Sequence, residues 1–247
     1  MTPEEKFLFD LNGYLVIKNV LNAGEVAELN ALADERFPRI PGKMDRRTRV
    51  STWGMPTQSL IDHSKILPYL LTLIDPQFRL DHDYCIFMDP GAPGGNLHGG
   101  EGHEGDHWYK YRDGRMKNGL CVVTFFLAPA AEGDGGFACI PGTHKSNFLE
   151  GIPREVLRLE RPAPYVVQPA VEAGDALIFT EALVHGTLPW RAKHERRALL
   201  YKYSPGYSAW SQHYYSADEY DNPTDQQRRI LQPPCVGSRE DVVQLPA

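Results

Sequence analysis

The chain is short of the features that tie a protein to a polymer or a membrane. Only four cysteines occur in 247 residues, Cys85, Cys121, Cys139 and Cys235, and none pair at the spacing of a zinc site or a redox motif. The first three sit inside apolar runs, which predicts reduced, buried thiols acting as small hydrophobes. Lysine and arginine form no long run, and the formal net charge is -6. A nucleic-acid coat or an anionic membrane surface needs a basic footprint, so a small molecule is the expected partner. No segment is apolar over the length of a bilayer, and Met1-Thr2-Pro3-Glu4-Glu5-Lys6 lacks the basic and apolar regions of a leader, so a cytoplasmic location is expected. Repeats and low-complexity segments are also missing.

One further absence concerns histidine. Residues two apart on a strand share a face, so His-x-Asp or His-x-Glu aims an imidazole and a carboxylate at one metal ion. None of the nine histidines is followed two residues later by an acid; in Asn96-Leu97-His98-Gly99-Gly100 the position is glycine.

What is present is material for a large core. At 42% hydrophobic content the length suits a single domain spanning residues 1–247. Gly13-Tyr14-Leu15-Val16-Ile17 reads as a strand. Asn22 and Glu25 form a capping pair, and Val26, Leu29, Leu32 and Ala33 recur at helical spacing up to Phe37. The stretch from Pro38 to Thr57 reads as irregular and basic, and Ile61 to Leu73 as a second helix. Short runs rich in β-branched and aromatic residues follow: Leu80 to Met88, Leu120 to Leu127, Phe137 to Ile140, Tyr165 to Val167, Ala176 to Thr180 and Ala198 to Tyr203. Turn signals such as Gly133-Asp134-Gly135-Gly136 and Gly174-Asp175 separate them, with no strand-helix alternation. The expectation is a mainly β barrel or jelly roll with flanking N-terminal helices. Residues from about 208 to 247 carry Trp210, Tyr214, Tyr215 and Tyr220, too aromatic for a free linker, and are expected to pack on the barrel or cap its mouth.

A jelly roll brings distant strands to one open end, so His98 and His185 can meet there. Two imidazoles suit iron(II). Gly174-Asp175-Ala176-Leu177-Ile178-Phe179 leads to Val184-His185-Gly186-Thr187, and Arg196 follows eleven residues after His185. With Pro141-Gly142-Thr143-His144-Lys145 upstream, this set resembles the phytanoyl-CoA dioxygenase family of iron(II)- and 2-oxoglutarate-dependent enzymes over roughly residues 8 to 207. The resemblance implies a double-stranded β-helix of cupin type, iron held by His98 and His185, dioxygen as oxidant, and 2-oxoglutarate gripped at its distal carboxylate by Arg196. Thr187 and Thr124 match positions that line the co-substrate. A planar guanidinium fork suits that task, because it offers two parallel donors.

Gly100 then admits a further resemblance, to the non-haem iron halogenases, in which glycine or alanine replaces the acidic ligand and chloride takes the open position. This gives the first expectation, a chlorinase acting on an unactivated C–H bond of a small metabolite. The second is a hydroxylase whose carboxylate comes from the adjacent acidic loop, with Glu101 or Asp106 as alternative ligands. A non-catalytic binder on the same fold is the third. For substrate, Arg46, Arg47 and Arg49 beside Trp53 form a dense basic cluster that suits a phosphate or carboxylate, as in a nucleotide. His107, Phe137, Trp190 and Arg191 are further candidates for the mouth of the site. His82 reads as a surface residue, and His144 and Lys145 as architectural.

Overall fold

A computed structural model describes residues 1–36 and 43–244. Phe37 and the first residues of the basic segment lie outside them. Strands β1 (Tyr14–Ile17), β2 (Met44–Thr48), β3 (Arg79–Met88), β4 (Gly95–His98), β5 (Tyr109–Arg112), β6 (Arg115–Asn118), β7 (Cys121–Phe126), β8 (Gly136–Cys139), β9 (Ala176–Thr180), β10 (His185–Leu188) and β11 (Arg196–Ser204) build the β region. Six of them form one antiparallel sheet in the order β1-β9-β7-β11-β3-β2, and a smaller sheet runs β4-β10-β8. Strands β5 and β6 make a separate hairpin.

Strand alternation sorts the side chains. On β7, Val122 and Phe126 point into the space between the sheets, where they join Tyr84, Met88, Phe137, Leu177, Phe179 and Leu200. Cys121, Val123 and Phe125 point the other way, into a larger cluster with Phe9, Leu29, Leu70 and Tyr201. Each fully buried side chain of this size contributes about 2 kcal/mol of transfer free energy. Because both faces of β7 and β9 are buried, their sequences read as unbroken apolar runs.

Helices α1 (Pro3–Asn12), α2 (Ala23–Arg36), α3 (Met55–Gln58) and α4 (Leu67–Leu73) precede the main strands, with α5 (Arg154–Leu157) and α6 (Asp225–Leu231) later. The Asn22–Glu25 cap of α2 is present in both directions, at 3.0 and 2.7 Å. The equivalent signal at Thr2 and Glu5 caps α1, a helix the sequence reading did not include. Of the helix expected from Ile61 to Leu73, only Leu67–Leu73 is α-helical, beginning beside Pro68. Tyr165 to Val167 supplies one bridge, Val167 to Cys139, and no strand. Part of the stretch read as irregular is instead β2, a polar edge strand paired with β3.

The aromatic tail packs on the large sheet. Tyr215 and Tyr220 are buried, the Tyr215 hydroxyl donates to the buried Asp83, and the amides of Trp210 and Ser211 donate to Asp81 at 2.9 and 3.0 Å. No helix among the described residues is long and apolar enough to cross a membrane.

Candidate active site

The two sheets converge on a pair of imidazoles. His98 ends β4, His185 opens β10, and the two are direct register partners with ring centroids 4.6 Å apart. Each Nδ1 faces a backbone carbonyl, that of Asn96 at 3.0 Å and that of Leu183 at 2.7 Å. A carbonyl only accepts, so both Nδ1 atoms carry the proton and both Nε2 lone pairs are left for a cation. Burial pushes His185 down to about 4 against the opposing pull of Glu181. It is therefore neutral near pH 7, as a metal ligand must be.

Beside the imidazoles lies a cavity of about 180 Å³ lined by His98, His185, Thr124, Thr187, Arg196 and Tyr84, among others. Arg196 starts β11, is 3% exposed, and has no carboxylate in reach among the described residues; its Nη1 lies 3.8 Å from the Met88 sulfur. Its Nε and the Thr124 hydroxyl are both buried without a partner. Burial lowers the guanidinium to about 10, so it remains a cation. A buried cation and hydroxyl without an anion are costly, and a dicarboxylate with one end on the metal would satisfy both. The residues present thus fit iron and 2-oxoglutarate. Local backbone makes room for the arginine: at Gly136 (φ +81°) a Cβ would stand 2.9 Å from Arg196 Nε.

The stretch after His98 departs from strand geometry. Gly99 and Gly100 have φ of +91° and +105°, so the alternation behind a His-x-acid pair does not reach position 100. A Cβ on Gly100 would lie 2.6 Å from Leu149 Cδ1 and 3.5 Å from Val184 Cγ2, in the cluster outside the small sheet rather than beside the imidazoles. The adjacent acids do not fill the gap. Glu101 is exposed. Asp106 is 6% exposed, but approaches His107, at 3.9 Å, rather than His98 or His185. Burial, then the charges of Asp81 and Glu181, raise it to about 6. Among the described residues, no three His, Cys, Asp or Glu side chains already form a metal-binding group.

The sequence reading missed Glu181, at the end of the β9 run. It is 2% exposed; one oxygen accepts from Lys202, and Oε2 stands 3.7 Å from Nε2 of His185 and 3.7 Å from Nε2 of His107. Burial opposes its charge, yet Lys202 and His185 hold it well below the ordinary carboxylate range. Lys202, 9% exposed, is kept protonated by the same pairing despite its own burial. The signal was a Glu within Phe179-Thr180-Glu181-Ala182-Leu183 and a Lys within Leu200-Tyr201-Lys202-Tyr203, charges in apolar runs that are rarely buried unpaired.

The remaining candidates separate. Arg46 lines the cavity with its guanidinium 3.6 Å over the Tyr84 ring, and alternation turns Arg47 to the other face of β2. Arg49 pairs with Glu219 and lies 4.5 Å over Tyr215, so it ties down the tail. The three arginines therefore do not converge on one anion. Trp53 packs on the larger core. Trp190 is fully buried and donates to the His194 carbonyl at 2.6 Å, and Arg191 lines a different cavity, with Gln168 and Leu188. Phe137 lines the imidazole cavity. His82 is not a surface residue: it bonds Asp81 at 2.7 Å and stacks on Trp210 at 4.8 Å. His144 is architectural, with Nε2 3.0 Å from the Asp10 carbonyl.

Residues 77–198 match the model of the phytanoyl-CoA dioxygenase (PhyH) family. No curated protein matches the chain. Among solved structures, HygX from Streptomyces hygroscopicus with nickel and 2-oxoglutarate bound superposes with a TM-score of 0.76 at 22% identity, covering 92% of this chain and 94% of that one. The same protein with iron bound gives 0.74 at 24% identity, with the same coverage. SnoK, a non-heme alpha ketoglutarate dependent carbocyclase from nogalamycin biosynthesis, gives 0.62 at 16% identity, covering 83% and 85%. At these identities the likeness is one of fold.

Proposed function

We propose a specific oxidation for this chain, which belongs through residues 77–198 with the phytanoyl-CoA dioxygenase-like iron- and 2-oxoglutarate-dependent oxygenases: hydroxylation of a C–H bond in a small molecule. The observation that carries the co-substrate half is Arg196, a buried cation with no anionic partner among the described residues, beside the unpartnered Thr124 hydroxyl and the His98–His185 pair. In this reading the two Nε2 atoms hold iron, and Arg196, Thr124 and Thr187 hold the distal carboxylate of 2-oxoglutarate. Bound iron and 2-oxoglutarate supply the oxidising chemistry when dioxygen arrives. The protein's own part is to orient the co-substrate through the guanidinium fork, keep His185 unprotonated, and exclude water with Phe137, Phe179 and Leu200.

Oxygen rather than halide transfer is favoured by Glu181. Its carboxylate stands 3.7 Å from Nε2 of His185 and, although Lys202 offsets part of its charge, disfavours a halide on that side of the imidazole. Halide transfer is the second reading, supported by a His98-Gly99-Gly100 stretch that brings no acid to the imidazole pair. For substrate, Arg46 above Tyr84 offers one cation and one aromatic face, enough for a single carboxylate or phosphate.

The test is conversion of 2-oxoglutarate to succinate by iron-loaded protein, across a panel of phosphorylated and unphosphorylated metabolites in chloride-containing buffer, with mass spectrometry of the products. Succinate with gain of one oxygen is expected. Gain of chlorine supports the second reading, and binding without succinate under every condition contradicts both.

A further inference from the structure

We infer that the substrate carries a basic nitrogen, held as an ammonium between the Asp106 carboxylate and the Trp210 indole. This rests on the oxygenase reading above and adds to it the chemical class of the substrate. An open cavity of about 650 Å³ lies between the loop after β4 and the tail, lined by Glu104, Asp106, Trp210 and His213 among others. Both walls are pinned. On the loop side the Asp106 carbonyl accepts from the Leu120 amide at 3.0 Å, and Gly119 packs so closely that a Cβ there would stand 1.8 Å from that carbonyl. On the tail side the amides of Trp210 and Ser211 are fixed on Asp81.

The charge in this cavity has one sign. Two acids line it and, among the described residues, no lysine or arginine does. Asp106 is 6% exposed, and neither of its carboxylate oxygens has a hydrogen-bond partner among the described residues. Lys202, whose charge reaches Asp106, is bonded to Glu181, and burial holds His107 below its ordinary value. A buried carboxylate left in that state calls for a donor that brings a positive charge. Trp210 is half exposed and offers a ring face to the same ligand, and an ammonium is drawn to a carboxylate and to an indole face alike. The cavity also communicates with the imidazole pair. Trp210 stacks on His82 at 4.8 Å and His82 on Tyr84 at 6.0 Å, and Tyr84 lines the cavity of His98 and His185. From Asp106, contacts of 3.9, 3.7 and 3.7 Å lead through His107 and Glu181 to His185. A nitrogen anchored at Asp106 therefore leaves the carbons beyond it to extend toward the imidazoles, with Arg46 free to take an anionic group at the other end.

The test is titration of metal-free full-length protein with phenethylamine, 2-phenylethanol and phenylacetate, probes of similar shape that are cationic, neutral and anionic near neutral pH, with binding read by NMR of the probe. Phenethylamine is expected to bind at least about tenfold more tightly than the alcohol, the factor that a charged hydrogen bond contributes, and phenylacetate no better than the alcohol. Asp106→Asn keeps the shape of the side chain and removes its charge, and is expected to bring the amine down to the level of the alcohol. If that variant fails to fold, Trp210→Leu, a change at a half-exposed position, supplies the same readout. An amine that binds no better than the alcohol, failure to bind at all included, would overturn the inference. So would unchanged amine binding in folded Asp106→Asn or, should it not fold, in Trp210→Leu. With iron and 2-oxoglutarate added, succinate is expected from amine-bearing metabolites and not from their N-acetyl forms; succinate from the N-acetyl forms alone would also overturn it. The functional reading fails separately: amine binding that depends on Asp106, with no succinate from any metabolite, leaves the cation site standing and removes the oxygenase.

Discussion

A guanidinium enclosed among Met88, Trp190 and Tyr84, with no carboxylate beside it among the described residues, costs stability until an anion arrives. Two effects of opposite sign follow for Arg196→Leu. The metal-free variant is expected to melt at or above wild type, because an unpaired buried charge is gone. Its affinity for 2-oxoglutarate is expected to fall about tenfold to a hundredfold, since hydrogen bonds to a charged group contribute about 1.5–3 kcal/mol. Differential scanning calorimetry and co-substrate titration read the two separately; a residue with a merely structural role would lower both. Gly136→Ala probes the same arm. The added Cβ meets Arg196 Nε in a backbone conformation that favours glycine, so a loss of about 1–3 kcal/mol in urea unfolding is expected, with weaker co-substrate binding.

Among the elements, the tail is held by buried polar contacts as well as by apolar ones. Asp83 is fully buried and accepts from the Ser51 amide and hydroxyl, at 2.9 and 2.6 Å, and from Tyr215. Tyr215→Phe is expected to cost about 1–3 kcal/mol and to speed proteolysis between residues 208 and 220. An unchanged cleavage rate would show that the tail is held by other contacts. Strands β3, β7, β9 and β11 were legible in the sequence because β-branched and aromatic runs lie between glycine and proline turns. The strand Met44-Asp45-Arg46-Arg47-Thr48 was not, because an edge strand with one solvated side needs no apolar alternation. In the site, the resemblance to the phytanoyl-CoA dioxygenase family pointed to His98, His185, Thr187 and Arg196, and these four line one cavity because β4 pairs with β10. Glu181 stayed hidden because its partners, Lys202 and His107, come from β11 and the loop after β4, contacts that only the folded chain creates. The left-handed Gly99–Gly100 turn was equally invisible, and it changes Gly100 from a cut-out beside the metal into a bend away from it.

On the scale of the whole molecule, buried titrating groups set the acid response. Burial, aided by Lys145, pushes His144 down to about 4, and His185 is pushed to a similar level. Between pH 6.5 and about 4 the unfolded chain binds these protons and the folded chain does not, so each group makes stability fall as pH falls through that window. Asp106, raised to about 6, acts in the opposite sense, because the folded state takes up its proton first. His144→Gln keeps a donor for the Asp10 carbonyl and removes one titration. The metal-free variant is therefore expected to lose less melting temperature than wild type between pH 6.5 and 4, with no difference between pH 7 and 8. Parallel melting curves across the acid range would contradict the assignment.

One cavity joins the His98–His185 pair to the Arg196 guanidinium, the span of a metal and a chelating dicarboxylate. Anaerobic titration of 2-oxoglutarate into iron(II)-loaded protein, followed by calorimetry, reads that junction in wild type and Arg196→Leu. Wild type is expected to bind one equivalent, only with the metal present, and the variant to lose at least tenfold in affinity. Equal binding by both proteins, or none by iron-loaded wild type, would contradict that reading.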